Sequence, residues 1–142
     1  MKKKAFFVLS GFLIGALLAA CGSSPAIEHY DRGYEYLQQG NFDLAIEEYT
    51  EAIALDPQFA SAYNNRGFAY ASQGDFDRAI ADYDQAITLD PQLADAYGNR
   101  GIAYANKGDF DRSIVDVERA LELGLDPSEK QDAEEFLEGM RQ

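Results

Sequence analysis

The chain is poor in the side chains that most often carry out catalysis or bind metals. Its 142 residues include one cysteine, Cys21, one histidine, His29, and no tryptophan. A single cysteine excludes a disulfide within the chain, and no His/Cys set has zinc-ligand spacing. The sequence also lacks a GxxxxGK[ST] loop, an HExxH pair and a GxSxG elbow. We therefore expect a protein that is not an enzyme and that uses no cofactor or metal.

Basic residues are also scarce. Lys and Arg number 12 against 25 Asp and Glu, which gives a net charge of −13. Affinity for nucleic acid depends mainly on Lys and Arg at phosphates, so this composition argues against a nucleic-acid partner. The same charge disfavours electrostatic attraction to anionic lipid. It is compatible with a neutral or basic protein partner, and equally with a solvated acidic surface that only keeps the protein soluble.

Long apolar runs are missing except near the N-terminus. Lys2, Lys3 and Lys4 precede a largely apolar stretch, 5–20. This stretch is short for a membrane span, and its charged start is typical of a secretory signal, which we assign to 1–20. Its removal would take away three lysines and no acid. The rest of the chain would then have 9 basic and 25 acidic residues, a net charge of −16.

The end of this stretch, residues 18–22 (LAACG), resembles the lipobox of bacterial lipoproteins. The resemblance implies cleavage before Cys21, a diacylglyceryl thioether on its sulfur, and a fatty acid such as palmitate on its new amino group. Several acyl chains give stable membrane anchoring. Gly22 and Ser23 follow where Asp would favour the inner membrane, so the outer membrane is expected in a host that has one. The alternative is an uncleaved anchor or a signal with an incidental cysteine.

From residue 26 onward the sequence repeats every 34 residues. The three copies are 26–59, 60–93 and 94–127. Glycine and phenylalanine recur in register, as the following sets show: Gly33, Gly67 and Gly101; Gly40, Gly74 and Gly108; Phe42, Phe76 and Phe110. A fixed period of this length indicates stacked supersecondary units. Such solenoids present an extended concave surface to another chain.

Each copy contains two helical stripes separated by a Gly-Asp or Gly-Asn pair. In the second copy, Tyr63, Gly67 and Tyr70 share one helix face. Gly74 suits the left-handed position that ends a helix. We expect Ser24 to cap the first helix, with Pro25 as its first residue. We likewise expect the pairs 56–57 and 90–91 (both Asp-Pro) to start the helices that follow them.

The pattern resembles the tetratricopeptide repeat (TPR). The signature residues in the second copy are Tyr63, Arg66, Gly67, Tyr70, Ala79, Tyr83, Ala86 and Pro91, of which only Arg66 departs clearly from the family preference for Leu. The resemblance covers residues 26 to 127. It implies an all-α, right-handed solenoid of three helix-turn-helix repeats.

The third copy departs from the other two. Ser113 replaces Ala, Val117 replaces Tyr, and an insertion precedes the last Asp-Pro pair at 126–127. Terminal repeats are often atypical. Segment 128–142 carries one apolar stripe among charged residues, formed by Ala133, Phe136, Leu137 and Met140. It therefore predicts a C-terminal capping helix, with Asp126 as its cap and Pro127 in its first turn.

The resemblance also implies where a partner binds, because the first helix of each TPR unit lines a concave groove. Here the groove would carry an apolar ridge formed by Tyr34, Phe68 and Ile102. Beside it would run a polar row formed by Asp31, Asn65 and Asn99, with Asn64 as a further polar residue. A similar row of Asn lines the superhelix of O-linked N-acetylglucosamine transferase. An Asn amide can pair with any peptide backbone. Asn at this position also packs helices, and both roles stay open.

Some TPR domains clamp acidic chaperone tails with a set of Lys and Asn. The corresponding position here holds Tyr30, Asn64 and Gly98. A free acidic C-terminus is therefore not expected as the ligand.

Arginine and carboxylate residues also recur in register. Arg32, Arg66 and Arg100 share one repeat position, and sixteen residues later stand Glu48, Asp82 and Asp116. We expect ion pairs between the two helices of a unit or between neighbouring units. Their role would be structural rather than ligand binding, because a partly buried charge needs its partner.

The leading interpretation is a lipid-anchored adaptor of the bacterial cell envelope that binds a protein or peptide in its groove. Known TPR lipoproteins include adaptors for peptidoglycan hydrolases and proteases, and pilotins of pilus secretins. One alternative is a self-assembling structural lipoprotein that dimerises through its third repeat and C-terminal helix. Another is a non-catalytic subunit of an envelope enzyme.

Overall fold

The structure is a computed structural model that describes residues 24–125 and 127–140. Within these ranges the chain forms no strand and seven helices: α1 (Pro25–Gln38), α2 (Phe42–Leu55), α3 (Ala60–Ser72), α4 (Phe76–Leu89), α5 (Ala94–Asn106), α6 (Phe110–Leu123) and α7 (Pro127–Met140). Over the same ranges, no helix has both the length and the apolar character needed to span a bilayer. The predicted signal, Cys21 and Asp126 lie outside the described residues.

The first helix begins as its sequence predicts. The Ser24 hydroxyl oxygen accepts a hydrogen bond from the Ile27 N–H at 3.4 Å, and Pro25 is the first helical residue. Proline is tolerated there because an N–H in the first turn has no partner within the helix.

Glycine ends the first helix of every repeat. Gly40, Gly74 and Gly108 have φ angles of 72°, 80° and 79°, the left-handed region predicted for Gly74. The N–H of Gly74 donates to the Ala71 carbonyl, and the next N–H donates to the Tyr70 carbonyl, both at 2.9 Å. These two bonds form a Schellman motif, which satisfies carbonyls at the helix end and turns the chain toward the second helix.

The prediction for the Asp-Pro pairs was wrong. α3 begins at Ala60 rather than at the proline after Asp56. The Asp56 N–H ends α2 by donating to the Ala52 carbonyl at 2.8 Å, and its carboxylate accepts from the Gln58 N–H at 3.0 Å. Asp90 is placed in the same way after α4. Because the aspartate oxygen is used in an Asx turn, the pair forms the turn between repeats and does not cap the next helix.

The core of each of the first two repeats is a tyrosine ring packed on a glycine. Tyr49 and Tyr83 are buried and face Gly33 and Gly67 on the partner helix. A Cβ on either glycine would lie 2.8 Å from the ring, so the helices approach more closely than any other residue permits. The third repeat has the smaller Val117 at the position of the ring.

The last helix packs on the array. α7 contacts α6, and Leu137 of its apolar stripe is only 5% exposed. Ala133 and Phe136 of the same stripe are partly buried. The predicted all-α architecture of three two-helix repeats with a C-terminal capping helix is confirmed.

Candidate binding groove

A concave groove follows the first helices of the repeats and ends against α7. It encloses a cavity of about 760 Å³. Five of the residues that the sequence assigned to the groove line this cavity: Asn64, Asn65, Phe68, Asn99 and Ile102. The other two, Asp31 and Tyr34, lie on the exposed surface of α1 and do not line it.

The apolar ridge is open to solvent. Tyr34, Phe68 and Ile102 come from the first helices of successive repeats and are 49%, 43% and 52% exposed. Each side chain therefore keeps about half of its surface available to a partner, and burial of that surface is a favourable source of binding free energy.

Two members of the polar row, Asn65 and Asn99, belong to a hydrogen-bonded chain that crosses all three repeats, whereas Asp31 makes no hydrogen bond to it among the described residues. The Asn65 amide donates to the hydroxyls of Tyr30 at 3.0 Å and Tyr49 at 3.3 Å. Its carbonyl oxygen accepts from the Asn64 amide at 3.2 Å, and Asn64 in turn accepts from Asn99 at 3.1 Å. Both N–H groups of Asn65 are thus used within the protein. This residue fastens the second repeat to the first.

Asn99 is placed differently from Asn65. Among the described residues its side chain makes only the bond to Asn64, which leaves one N–H and its carbonyl oxygen without a partner inside the molecule. It lines the cavity. Asn99 is therefore the member of the row that is best placed to pair with a peptide backbone.

The two tyrosines under the row remain protonated. Burial raises the pKa of Tyr30 and of Tyr49 above the ordinary value, while the hydrogen bond from Asn65 acts in the opposite direction. Neutral phenols keep their O–H and still accept from the Asn65 amide. The layer beneath Asn65 therefore carries no charge.

The predicted arginines and carboxylates meet between the two helices of each unit. Arg66 donates to both oxygens of Asp82 at 2.8 and 2.7 Å, which raises the pKa of Arg66. Arg100 donates to both oxygens of Asp116 at 2.7 and 2.8 Å. These paired contacts have the fork geometry that makes Arg–carboxylate bonds strong.

Two of these arginines also reach the preceding repeat. Arg66 donates to the Thr50 hydroxyl at 3.1 Å, and Arg100 donates to the Asp84 carboxylate at 2.6 Å. None of the paired arginines or their carboxylate partners lines the groove cavity. Their position is that of structural links within and between repeats.

The pair of the first repeat is weaker. Arg32 makes one bond to Glu48, at 3.0 Å, and its side chain is 44% exposed. The same Glu48 oxygen lies 2.7 Å from the Nδ1 atom of His29. The single histidine thus belongs to a surface ion-pair cluster outside the groove cavity. In the part of the chain that the structure describes, no group of three or more His, Cys, Asp or Glu side chains is arranged to hold a metal ion.

The cavity has an acidic character. Asp95 and Asp132 line it and are exposed, and no Lys or Arg among the described residues lines it. A cationic ligand would therefore meet two carboxylates, whereas a carboxylate ligand would meet like charge.

Sequence reasoning missed the wall at the C-terminal end of the groove. Val117, Leu125, Asp132, Ala133 and Phe136 line the cavity, and three of them belong to α7. The sequence contains a signal for this wall, because Val117, which departs from the repeat pattern, and the apolar stripe of α7 both line it. From the sequence alone, these features predicted only an irregular terminal repeat and its capping helix.

Family models match most of the described chain. A model of the TPR repeat matches residues 33–74 and 69–108, and a model of the tetratricopeptide repeat matches 94–124. The chain therefore belongs to the tetratricopeptide repeat family, whose fold is typically a non-catalytic protein-interaction module.

Several solved structures are similar. The first TPR of Spaghetti (RPAP3), bound to the HSP90 peptide SRMEEVD, is 30% identical with a TM-score of 0.78, over 84% of this chain and 93% of that chain. The second TPR domain of human RPAP3, in complex with the HSP70 peptide SGPTIEEVD, is 30% identical with a TM-score of 0.74, over 83% and 96%. The TPR2B domain of yeast Sti1, in a complex with pHsp70, is 26% identical with a TM-score of 0.78, over 84% and 98%. No protein of curated function matches this chain significantly.

Proposed function

We propose that this protein is a lipid-anchored adaptor of the bacterial cell envelope whose groove binds a segment of a partner protein. The observation that carries the proposal is the groove itself, where a half-exposed apolar ridge runs beside a row of asparagines. Similar TPR domains hold peptides from HSP90 and HSP70, which supports a peptide as the ligand class.

The partner segment is neutral or basic. The peptides seen with the similar domains end in the acidic sequence EEVD. The groove carries two carboxylates, Asp95 and Asp132, which would repel such a ligand. The acidic net charge of the chain adds to this preference by raising the association rate of a basic partner.

The anchoring part of the proposal is supported by the sequence around Cys21. Acylation of that residue would hold the protein at the membrane, on the periplasmic face of the outer membrane in a host with two membranes. Only residues 22–24 separate Cys21 from the start of α1 at Pro25. Three extended residues span about 10 Å, so the groove would operate close to the membrane surface.

Self-assembly through the third repeat and α7 has less support. Leu137 of the α7 stripe is already buried within the chain. The surface that α6 and α7 share also carries four glutamates: Glu118, Glu122, Glu134 and Glu138. Glu122 and Glu134 already pair with Arg119 and Lys130 inside the chain, so a second copy would meet a surface that is acidic and partly committed to these pairs. A role as a non-catalytic subunit of an envelope enzyme would use the same groove and is tested with it.

Site-specific photo-crosslinking in cells tests the groove. One variant carries a photo-reactive residue in place of Phe68, and a matched variant carries it in place of Leu55, which is 53% exposed and does not line the cavity. The proposal expects a distinct partner protein to be crosslinked from the first position and not from the second. Equal products from both positions, or only a crosslinked homodimer, would reject it.

Metabolic labelling tests the anchor separately. The wild-type protein should incorporate a labelled fatty acid and fractionate with membranes, and Cys21→Ser should lose the label. A wild-type protein that fractionates with membranes but carries no label would point instead to an uncleaved N-terminal anchor.

A further inference from the structure

The third repeat leaves space that the first two repeats fill. Val117 lines the groove cavity although it is only 4% exposed, so it lies at the inner end of the cavity. Tyr49 and Tyr83, at the same position of the first two repeats, are buried and do not line it. Because valine lacks the distal ring and the hydroxyl, the third repeat opens into the groove where the other two are closed.

A second small residue enlarges the same space. Gly98 lies inside α5 and lines the cavity, although glycine is a poor helix former. A Cβ at Gly98 would meet only the Ala120 Cβ, at the ordinary contact distance of 3.8 Å. Packing therefore does not require glycine at this position. Gly101 is different, since a Cβ there would lie 2.8 Å from Val117.

α7 completes the space as an apolar wall with an acidic edge. Ala133 and Phe136 line the cavity from this helix, and Ile102 faces it half exposed from α5. Asp95 and Asp132 line the cavity too and are exposed, which places their carboxylates at its outer edge. An apolar interior with carboxylates at its opening suits a ligand that has an apolar group next to a cationic group.

We propose that this third-repeat pocket, formed by Gly98, Ile102, Val117 and Phe136, receives a bulky apolar side chain of the partner peptide. Asp95 and Asp132 then bind a Lys or Arg next to that side chain. This inference rests on the proposed function of the groove and names the chemistry of its ligand. The buried apolar side chain supplies affinity, and the exposed carboxylates mainly discriminate against acidic segments.

The test begins with a random dodecapeptide display library, selected on the full chain purified in detergent. The proposal expects enriched peptides to share a Phe, Leu, Ile, Met or Trp beside a Lys or Arg. Affinities of two enriched peptides are then measured for the wild type and for Val117→Tyr. This change restores the residue of the first two repeats, and Gly101 leaves the ring the same close approach that Gly67 gives Tyr83. We expect binding to weaken at least tenfold with an unchanged melting temperature.

Val115→Tyr is the matched control for the pocket. It adds the same side chain to α6 at a residue that is 64% exposed and does not line the groove cavity. It should leave the affinity unchanged. The double change Asp95→Asn and Asp132→Asn should weaken binding three- to tenfold and reduce its salt dependence. Glu47→Gln, an exposed carboxylate outside the cavity, should do neither.

The outcomes separate this inference from the function on which it rests. Suppose the enriched peptides lose affinity for a Phe68→Ala variant but bind Val117→Tyr normally, or lack the apolar–basic pair. The pocket assignment is then wrong and the groove function stands. Failure to enrich any peptide, or binding that neither variant changes, would overturn both.

Discussion

At the residue scale, the arginine that recurs in each repeat contributes differently to stability in different repeats. The Arg66 side chain is 17% exposed and that of its partner Asp82 is 10% exposed, whereas Arg32 is 44% exposed and Glu48 is 22% exposed. A poorly solvated carboxylate that loses its cationic partner keeps a charge that nothing stabilises, which costs folding free energy. An exposed carboxylate is solvated by water instead, so the loss of its partner costs little.

Arg66→Ala should therefore destabilise the protein far more than Arg32→Ala. We expect a loss of about 3 kcal/mol in the free energy of unfolding for the first change, and below about 1 kcal/mol for the second. Urea unfolding followed by circular dichroism measures both. Equal losses at the two positions would show that burial does not decide the strength of these pairs. An unchanged stability in Arg66→Ala combined with lost partner binding would assign this arginine to the ligand instead.

Two glycines in first helices should respond in opposite directions to the same substitution. A Cβ at Gly67 would lie 2.8 Å from the Tyr83 ring and 3.1 Å from the Ala79 carbonyl oxygen, so Gly67→Ala should cost about 2 kcal/mol through overpacking. Gly98→Ala has room for its methyl group and should stabilise the helix by about 0.5 to 1 kcal/mol. Melting temperatures of the two variants test this. A destabilised Gly98→Ala protein would refute the open space assigned to that position.

At the element scale, the helices of the first two repeats follow from local signals. The spacing of apolar residues sets the helical stripes, and a glycine in the left-handed conformation ends each first helix. Local signals do not determine the residue at which the first helix of the next repeat begins. Aspartate favours both an N-cap and an Asx turn, and only the packed structure shows that Asp56 and Asp90 adopt the turn.

The second helices differ in how they are capped. Asp75 accepts the Arg78 N–H at 3.1 Å and the Arg78 guanidinium at 2.6 Å, and the same pattern recurs at Asp109. The backbone bond, followed by the guanidinium bond, lowers the pKa of Asp75 below its usual range. Asn41, at the same position of the first repeat, makes no side-chain capping bond. The first repeat therefore lacks this source of pH dependence.

Stability should fall with pH in acid partly through this cap. Because the pKa of Asp75 is lower in the folded state, its contribution is fully present above the ordinary value of 3.8 and is lost as the pH falls through the lowered value. In Asp75→Asn, which retains an acceptor for the cap, the melting temperature should drop less steeply between pH 5 and pH 2. Parallel curves for the two proteins would show that the charged cap contributes nothing.

At the scale of the whole molecule, polar contacts fasten each repeat to its neighbour. Asn65 joins the second repeat to the first, and Asn99 joins the third to the second. Arg66 and Arg100 make further links to the preceding repeats. Nearest-neighbour coupling of this kind is what stabilises a solenoid, because its repeats contact only their neighbours. The asparagines that the sequence placed in the groove are thus partly committed to holding the array together.

The sequence predicts the groove residues that lie on the regular first helices of the repeats, but not those at its C-terminal end. Phe68 and Ile102 follow from the family pattern, because each lies on the concave face of a regular first helix. Phe136 and Val117 do not, since their place in the cavity depends on how α7 docks on α6. The apolar stripe of α7 predicted that this helix packs on the last repeat, but helical periodicity does not specify the angle and depth at which it docks.

The most direct test of the central claim is a binding titration of an enriched peptide against a double variant, Phe68→Ala with Ile102→Ala. Both side chains are about half exposed and line the cavity, so their loss should weaken binding at least tenfold while the melting temperature changes little. Leu55→Ala, equally exposed but outside the cavity, should bind as the wild type does. Unchanged affinity in the double variant would mean that the concave face is not where this protein meets its partner.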